Sequence, residues 1–229
     1  MVCTIATSWD DGLESDKQLL SVLDRVGVQS SFALTPSRYS ARPIPNDIRS
    51  IEKYGSLLQR CDLGIYSRHD ICNHTANHYE MPRDTRNNQD IWRQEIVDGQ
   101  DQLEQIFSRQ IKGIVWPYGV STPTVCKFAE NCGHLYGRET NTRVKSWLSG
   151  KYTCWNLAAA HWKELSIETV LSFPCSHLVV YGHTYEFQTK RDWEQIEEFY
   201  TTLSSDFRCR LVTLTDLAEE IKNNEFNGI

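Results

Sequence analysis

Strand-length apolar runs alternate with helix-length amphipathic stretches along all 229 residues, and the polar residues able to do chemistry fall just after the strands. Alternating strands and helices predict an α/β protein with a parallel sheet. With about seven such units, closure into a TIM-like (β/α) barrel is more economical than a long open sheet. No internal repeat, low-complexity tract or linker interrupts the chain, so residues 1–229 are expected to form a single domain.

The elements follow in order. Cys3–Trp9 has strand length and ends in polar residues. Leu19, Leu20, Leu23 and Val26 repeat at helical spacing, and Gly27 suits a helix stop. Residues 28–34 read as a second strand, 46–60 as a helix and 62–67 as a short strand, with the histidine-rich segment R-H-D-I-C-N-H-T-A-N-H directly after it. Residues 88–108 carry the longest helical pattern, with Ile91, Ile96, Leu103, Ile106 and Phe107 on one face. I-K-G-I-V-W (111–116) is a strand, and 122–133 a helix with proline early and glycine at its end. Residues 134–140 read as a strand, 141–176 as loops with a short helix or two, and 177–183 as a strand. A helix over 191–203, a strand at 210–214 and a last helix complete the chain.

Composition narrows the function classes. Hydrophobic residues at 40%, charged residues at 24% and a net charge of −6 describe an ordinary globular protein. They offer nothing to nucleic acid or an anionic membrane. No apolar run reaches the length of a membrane span. The first residues, M-V-C-T-I-A-T-S-W-D-D-G, enter a strand without the features of a secretory signal, so a cytoplasmic location is expected. The eight cysteines are dispersed with no C-x-x-C pair, and reduced core thiols are the expectation.

His74 and His78 stand four apart and, if helical, project from one face. Zinc and related ions take imidazole nitrogen and carboxylate oxygen, and a catalytic site keeps one position open. W-D-D-G (9–12) offers adjacent carboxylates at the end of the first strand. Side chains of neighbouring residues on an extended segment point apart, so one aspartate can bind metal while the other serves as a base. Taken singly, Asp-Asp-Gly is a common turn sequence, His183 a plausible buried structural histidine and W-P-Y-G an aromatic turn. His69, His134, His161 and His177 show no partner and are read as structural or exposed.

In order, these elements resemble the motifs of the polysaccharide deacetylase family, carbohydrate esterase family four. T-S-W-D-D-G resembles T-F-D-D-G; H-D-I-C-N-H-T-A-N-H resembles H-E-I-G-N-H-T-x-x-H; I-V-W-P-Y-G is similar to F-A-Y-P-Y-G; and V-V-Y-G-H-T-Y-E-F is similar to the late histidine motif. The resemblance covers residues of about 4–215. It implies a distorted (β/α)7 barrel, with Asp10 as catalytic base, His183 as general acid, and Asp11, His74 and His78 as metal ligands. The Tyr118 N–H would help hold the oxyanion, and Trp116, Pro117 and Tyr118 would wall the substrate groove. Val115 stands where many relatives carry an arginine that orients the base, and Arg138 is the candidate replacement beside the substrate. The family's aspartate-and-tryptophan motif is missing. N-L-A-A-A-H-W occupies its stretch without the acid, and Glu186 is the candidate to polarise His183.

The activity implied is metal-dependent N-deacetylation of an N-acetylated amino sugar, as an oligosaccharide or a nucleotide- or lipid-linked precursor. Hydrolysis of a non-sugar amide or cyclic imide is the alternative, and a non-catalytic carbohydrate-binding relative the second. Zinc is the first choice of ion, with cobalt, nickel and manganese also compatible. The expected partner is a small-molecule or oligosaccharide substrate, without nucleic acid or membrane insertion. The sequence leaves the oligomeric state open.

Overall fold

The computed structural model describes residues 2–39, 55–81, 89–140 and 152–226. β1 (Cys3–Asp10) is buried along its whole length, as a strand is at the centre of a covered parallel sheet. Its residues divide by the two-residue period of a strand. Ile5 and Trp9 pack outward among the helices, whereas Ala6 joins Ala33, Cys72 and Val115 inside.

Around β1 the strands are β2 (Ser31–Leu34), β3 (Asp70–Asn73), β4 (Gly113–Val115), β5 (Tyr136–Glu139), β6 (Leu157–Ala158), β7 (Ala160–His161) and β8 (His177–His183). Their order is β6-β5-β4-β3-β2-β1-β8-β7, with every pairing parallel. β6 and β7 are separated by Ala159 alone, so the segment 157–161 bridges β5 and β8 and closes the ring. Taken as one stave, that segment makes seven around a distorted parallel barrel. β9 (Cys209–Val212) lies off the ring. β1 gives one edge to β8 and divides the other between β9, at Cys3–Ala6, and β2, at Ser8–Asp10.

The helices are α1 (Asp16–Val26), α2, α3 (Pro123–Asn131), α4 (Ile167–Leu171), α5 (Lys190–Ser205) and α6 (Leu214–Phe226). α2 runs through Gln89–Trp92, a π-helical turn Arg93–Val97 and Asp98–Phe107. α1 stops at Gly27, whose left-handed backbone (φ 71°) lets its N–H cap the last carbonyls. α6 packs Leu214, Leu217, Ala218 and Ile221 with the inward-facing strand residues. Among the described residues no helix is long and apolar enough to cross a membrane.

Three expectations change. Of the expected helix 46–60, residues 46–54 lie outside the described residues, and 55–59 are not helical. The expected strand 62–67 is a 3-10 helix, Arg60–Tyr66: Leu63 and Tyr66, three apart, are its buried residues, the spacing that stacks on one face of such a helix. The strand lies instead at Asp70–Asn73, inside the histidine segment, so His74 is the first residue beyond its tip. Within the stretch read as loops, β6 and β7 are two residues each, too short to show a period.

Candidate active site

The C-terminal strand ends meet on one rim, and register sets who faces whom. Asp10, the last residue of β1, is the register partner of Ala33 on one side and of His183 on the other. Two candidate catalytic groups 173 positions apart are thereby adjacent across a single strand pair. His183 Nε2 lies 3.9 Å from an oxygen of Asp10 and 3.9 Å from an oxygen of Asp11.

Beyond Asp10 the chain turns sharply. Asp11 has φ 85° and donates its N–H to the Ala33 carbonyl. Gly12 follows at φ 66°, where a Cβ would stand 1.7 Å from the Tyr39 hydroxyl, so the third position of D-D-G admits only glycine. Asp11 Oδ1 is brought 3.5 Å from His78 Nε2 and 4.0 Å from His74 Nε2. One donor atom from each of the three residues lies within 4.8 Å of the others.

The two imidazoles are not on a helix. They flank a turn with Thr75 at φ 60° and His78 at φ 57°. Four of the five non-glycine residues with positive φ among the described residues, Asp11, Thr75, His78 and Tyr118, sit on this rim. Such clustering of disfavoured backbone is expected where side-chain aim matters more than local comfort. Glu95, from the π-helical turn, holds the strained segment: its carboxylate accepts the Asn77 N–H (2.9 Å) and side-chain amide (2.8 Å), and its carbonyl accepts the Ala76 N–H. His74 Nδ1 lies 2.7 Å from the Val115 carbonyl. A carbonyl only accepts, so the proton is on Nδ1 and the Nε2 lone pair faces Asp11.

This donor set fits a divalent cation. It is an Asp-His-His group with one imidazole already fixed in the ligating tautomer by a backbone carbonyl. Burial pushes the His74 imidazole down to about 3 and lowers His78 as well, so both are neutral. Burial opposes the charge on Asp11, but the Arg38 guanidinium, helped by His74, His78 and His183, outweighs it and holds the carboxyl well below the usual range.

Arg138 is 1% exposed, and its Nη2 lies 2.5 Å from both oxygens of Asp10. It therefore holds the Asp10 carboxylate, the candidate base, and is too deeply buried to line a groove. Val115 and Arg138 are register partners on β4 and β5: the cation expected at position 115 comes from the neighbouring strand at the same height, while the Val115 carbonyl serves His74. Arg38, from the 3-10 turn Pro36–Tyr39, lies 2.8 Å from Asp11 Oδ1. Nothing in its sequence context marked it.

The W-P-Y segment divides. Trp116 is fully buried among Val125, Cys126 and Ala129, and Pro117 is buried too. Neither walls a groove, because Trp116, the first residue beyond β4, packs against helix α3. Tyr118 alone is exposed, at 64%, with its ring edge-on to His78 at 5.1 Å.

On the far side, His183 Nδ1 is 3.2 Å from Glu186 Oε1. Burial lowers the affinity of the His183 ring for a proton, but the Glu186 bond and the Asp10 and Asp11 charges reverse that, and its pKa is raised. His161, read as partnerless, also reaches Glu186, at 2.9 Å. His69 and His134 are buried with hydrogen bonds to Ser30 and Asn73, and His177 bonds Ser176.

Fold and rim together define a parallel barrel with carboxylates and imidazoles gathered at its C-terminal end. The chain belongs to the polysaccharide deacetylase family, whose profile matches residues 3–137. No curated protein matches it. Among solved structures it is similar to the Bc1960 peptidoglycan N-acetylglucosamine deacetylase (20% identity, TM-score 0.59, 94% of this chain and 87% of that one). A family 4 acetyl xylan esterase from Clostridium thermocellum, in complex with cobalt, aligns at 18% identity and TM-score 0.58, over 95% of this chain and 91% of its own. A mutant of BA3943, a pseudoenzyme of the same family with restored activity, aligns at 14% identity and TM-score 0.62, over 96% and 68%; the wild-type protein is from Bacillus anthracis. At these identities the likeness concerns the fold.

Proposed function

We propose that the chain acts as one catalytic domain, a metal-dependent N-deacetylase that hydrolyses the acetamide of an N-acetylated amino sugar, as an oligosaccharide or a nucleotide- or lipid-linked precursor. The observation that supports this reading is the convergence of Asp11, His74 and His78 within 4.8 Å, with Asp10 and His183 beside them. Asp11, His74 and His78 would hold the ion, zinc first, with cobalt, nickel or manganese acceptable to the same donors. When bound, the ion supplies Lewis acidity toward the carbonyl and acidifies water.

Asp10, held by Arg138, takes the proton of the attacking water. The Tyr118 N–H donates to the developing oxyanion, and the exposed Tyr118 ring offers a face to a sugar. His183, whose affinity for a proton the Glu186 bond and the Asp10 and Asp11 charges raise against the effect of burial, gives its Nε2 proton to the leaving amine. Without that proton the amine would be a very poor leaving group. The products are acetate and a free amino sugar.

The test uses purified, metal-loaded protein and follows acetate release from N-acetylglucosamine oligomers and nucleotide- and lipid-linked N-acetyl sugars, and amide-bond cleavage of ureides and cyclic imides by product chromatography. Acetate from an N-acetyl sugar, abolished by a chelator and restored by metal, is the expected result. Turnover confined to imides or ureides would assign the site to non-sugar amides. A pseudoenzyme is among the similar structures, and stoichiometric metal with sugar binding but no turnover would place this chain with it.

A further inference from the structure

Glu186 closes a short 3-10 turn, Thr184–Glu186, three residues after His183. Its Oε1 lies 2.9 Å from His161 Nε2 and 3.2 Å from His183 Nδ1. Its Oε2 accepts the Trp162 Nε1–H at 2.7 Å and the His183 backbone N–H at 3.4 Å. An ionised carboxylate only accepts, so both imidazole nitrogens facing it carry protons. His161 Nδ1 in turn accepts the Lys163 N–H at 3.3 Å. His161 thus presents Nε2–H to the carboxylate and uses Nδ1 as an acceptor toward its own main chain. Lys163 Nζ bonds the Glu186 main-chain carbonyl at 3.2 Å and does not reach the carboxylate.

Glu186 thus gathers the His161 ring, the Trp162 indole, and the His183 ring and main chain around one carboxylate. The donors come from one place: β7 ends at His161, Trp162 follows, and His161 is the register partner of Tyr181 on β8, two residues before His183. We propose that His161 is a positioning residue. As a hydrogen-bond donor it anchors Glu186 Oε1, and through Glu186 it pins the His183 proton on Nδ1, so that His183 Nε2 faces Asp10 and Asp11. The strap that closes the barrel then also aims the proton donor. A cation at 161 would compete with His183 for the carboxylate, and an apolar residue would leave the carboxylate free to rotate toward Trp162.

The inference rests on the reading of His183 as proton donor, but its first readout needs no substrate. In metal-free protein labelled with 15N-histidine, at a pH where the imidazoles are neutral, the nitrogen shifts report the tautomer of His183. Wild type and His161→Gln, which keeps a neutral N–H donor at that reach, should show the Nδ1–H form. His161→Phe, which keeps the edge contact with Tyr181, should shift His183 toward Nε2–H, and Glu186→Leu more so. In the metal-loaded enzyme His161→Phe should lower kcat roughly 10-fold to 100-fold with KM and metal content unchanged, and His161→Gln should restore most of it. Should the phenylalanine variant fail to fold, His161→Ala takes its place. An unaltered His183 tautomer in the apolar variant would overturn the inference, as would a loss confined to KM or to thermal stability. If no variant turns over any substrate but the tautomer shifts, the deacetylase reading fails and the positioning role stands.

Discussion

Arg138 reaches Asp10 from β5, with one guanidinium nitrogen 2.5 Å from both carboxylate oxygens, and the two side chains are 1% and 5% exposed. Removing one partner of so buried a pair strands the other charge. Arg138→Met should therefore destabilise the fold by about 3–5 kcal/mol and abolish turnover. Arg138→Lys keeps the charge without the planar fork and should lose less stability than activity. Urea unfolding beside initial rates separates the two; an Arg138→Met protein as stable as wild type would show that the pair contributes nothing to folding.

Arg38 and a divalent cation would share one oxygen, Asp11 Oδ1, which Arg38 contacts at 2.8 Å. Like charges at that range repel. Arg38→Gln should therefore bind zinc about tenfold more tightly, near 1.4 kcal/mol, whereas His78→Ala or Asp11→Asn should lose metal. Competition against a chelating dye reads all three. Weaker binding by Arg38→Gln would mean that Arg38 serves to orient Asp11.

Asp16, in the first turn of α1, is fully buried and accepts from Thr184 (2.5 Å) and Tyr66 (2.6 Å). Burial raises its carboxyl from 3.8 to about 7, and the nearby Asp11 charge adds to this while the two hydroxyls only partly offset it. The folded state thus holds this proton more tightly than the unfolded chain. Its contribution to stability is complete below the unfolded value and declines as pH rises through the window between 3.8 and about 7, by up to about 1.4 kcal/mol per pH unit. Asp16→Asn should remove that slope and be more stable than wild type at pH 8, as urea midpoints at pH 5 and pH 8 will show. A parallel pH dependence in both proteins would contradict the shift.

Gly119 stands at φ 66°, where a Cβ would meet Thr140 Oγ1 at 1.8 Å and the Thr140 carbonyl at 2.6 Å. Gly119→Ala should cost more than about 1 kcal/mol and displace Tyr118, lowering turnover. Adding Thr140→Ala should not rescue it, because the carbonyl stays. Thermal melts of the single and double variants decide this.

Much of the barrel could be read from the chain because burial imposes a period. The strand-length stretch of β1, the helical spacing of Leu19, Leu20, Leu23 and Val26 in α1 and the capped pattern of α3 report local geometry directly. The misread strand at 62–67 failed where a short 3-10 turn and a short strand bury the same few residues. Asp10, Asp11, His74, His78 and His183 were legible because each sits in a compact motif, and the motifs follow a family order. Arg38, Glu95 and His161 carry no local motif. Each acts through contacts with residues distant in sequence, and such contacts leave no period behind.

The sequence by itself determined the strand–helix alternation, the carboxylate and imidazole inventory and their order, since these depend on residue type and spacing. Only the tertiary structure decided that Arg138 replaces a cation expected at position 115, that Trp116 turns into the core, and that His161 and His183 share one carboxylate. The reason is physical: strand register and left-handed turns aim side chains, and both are set by packing across the whole barrel.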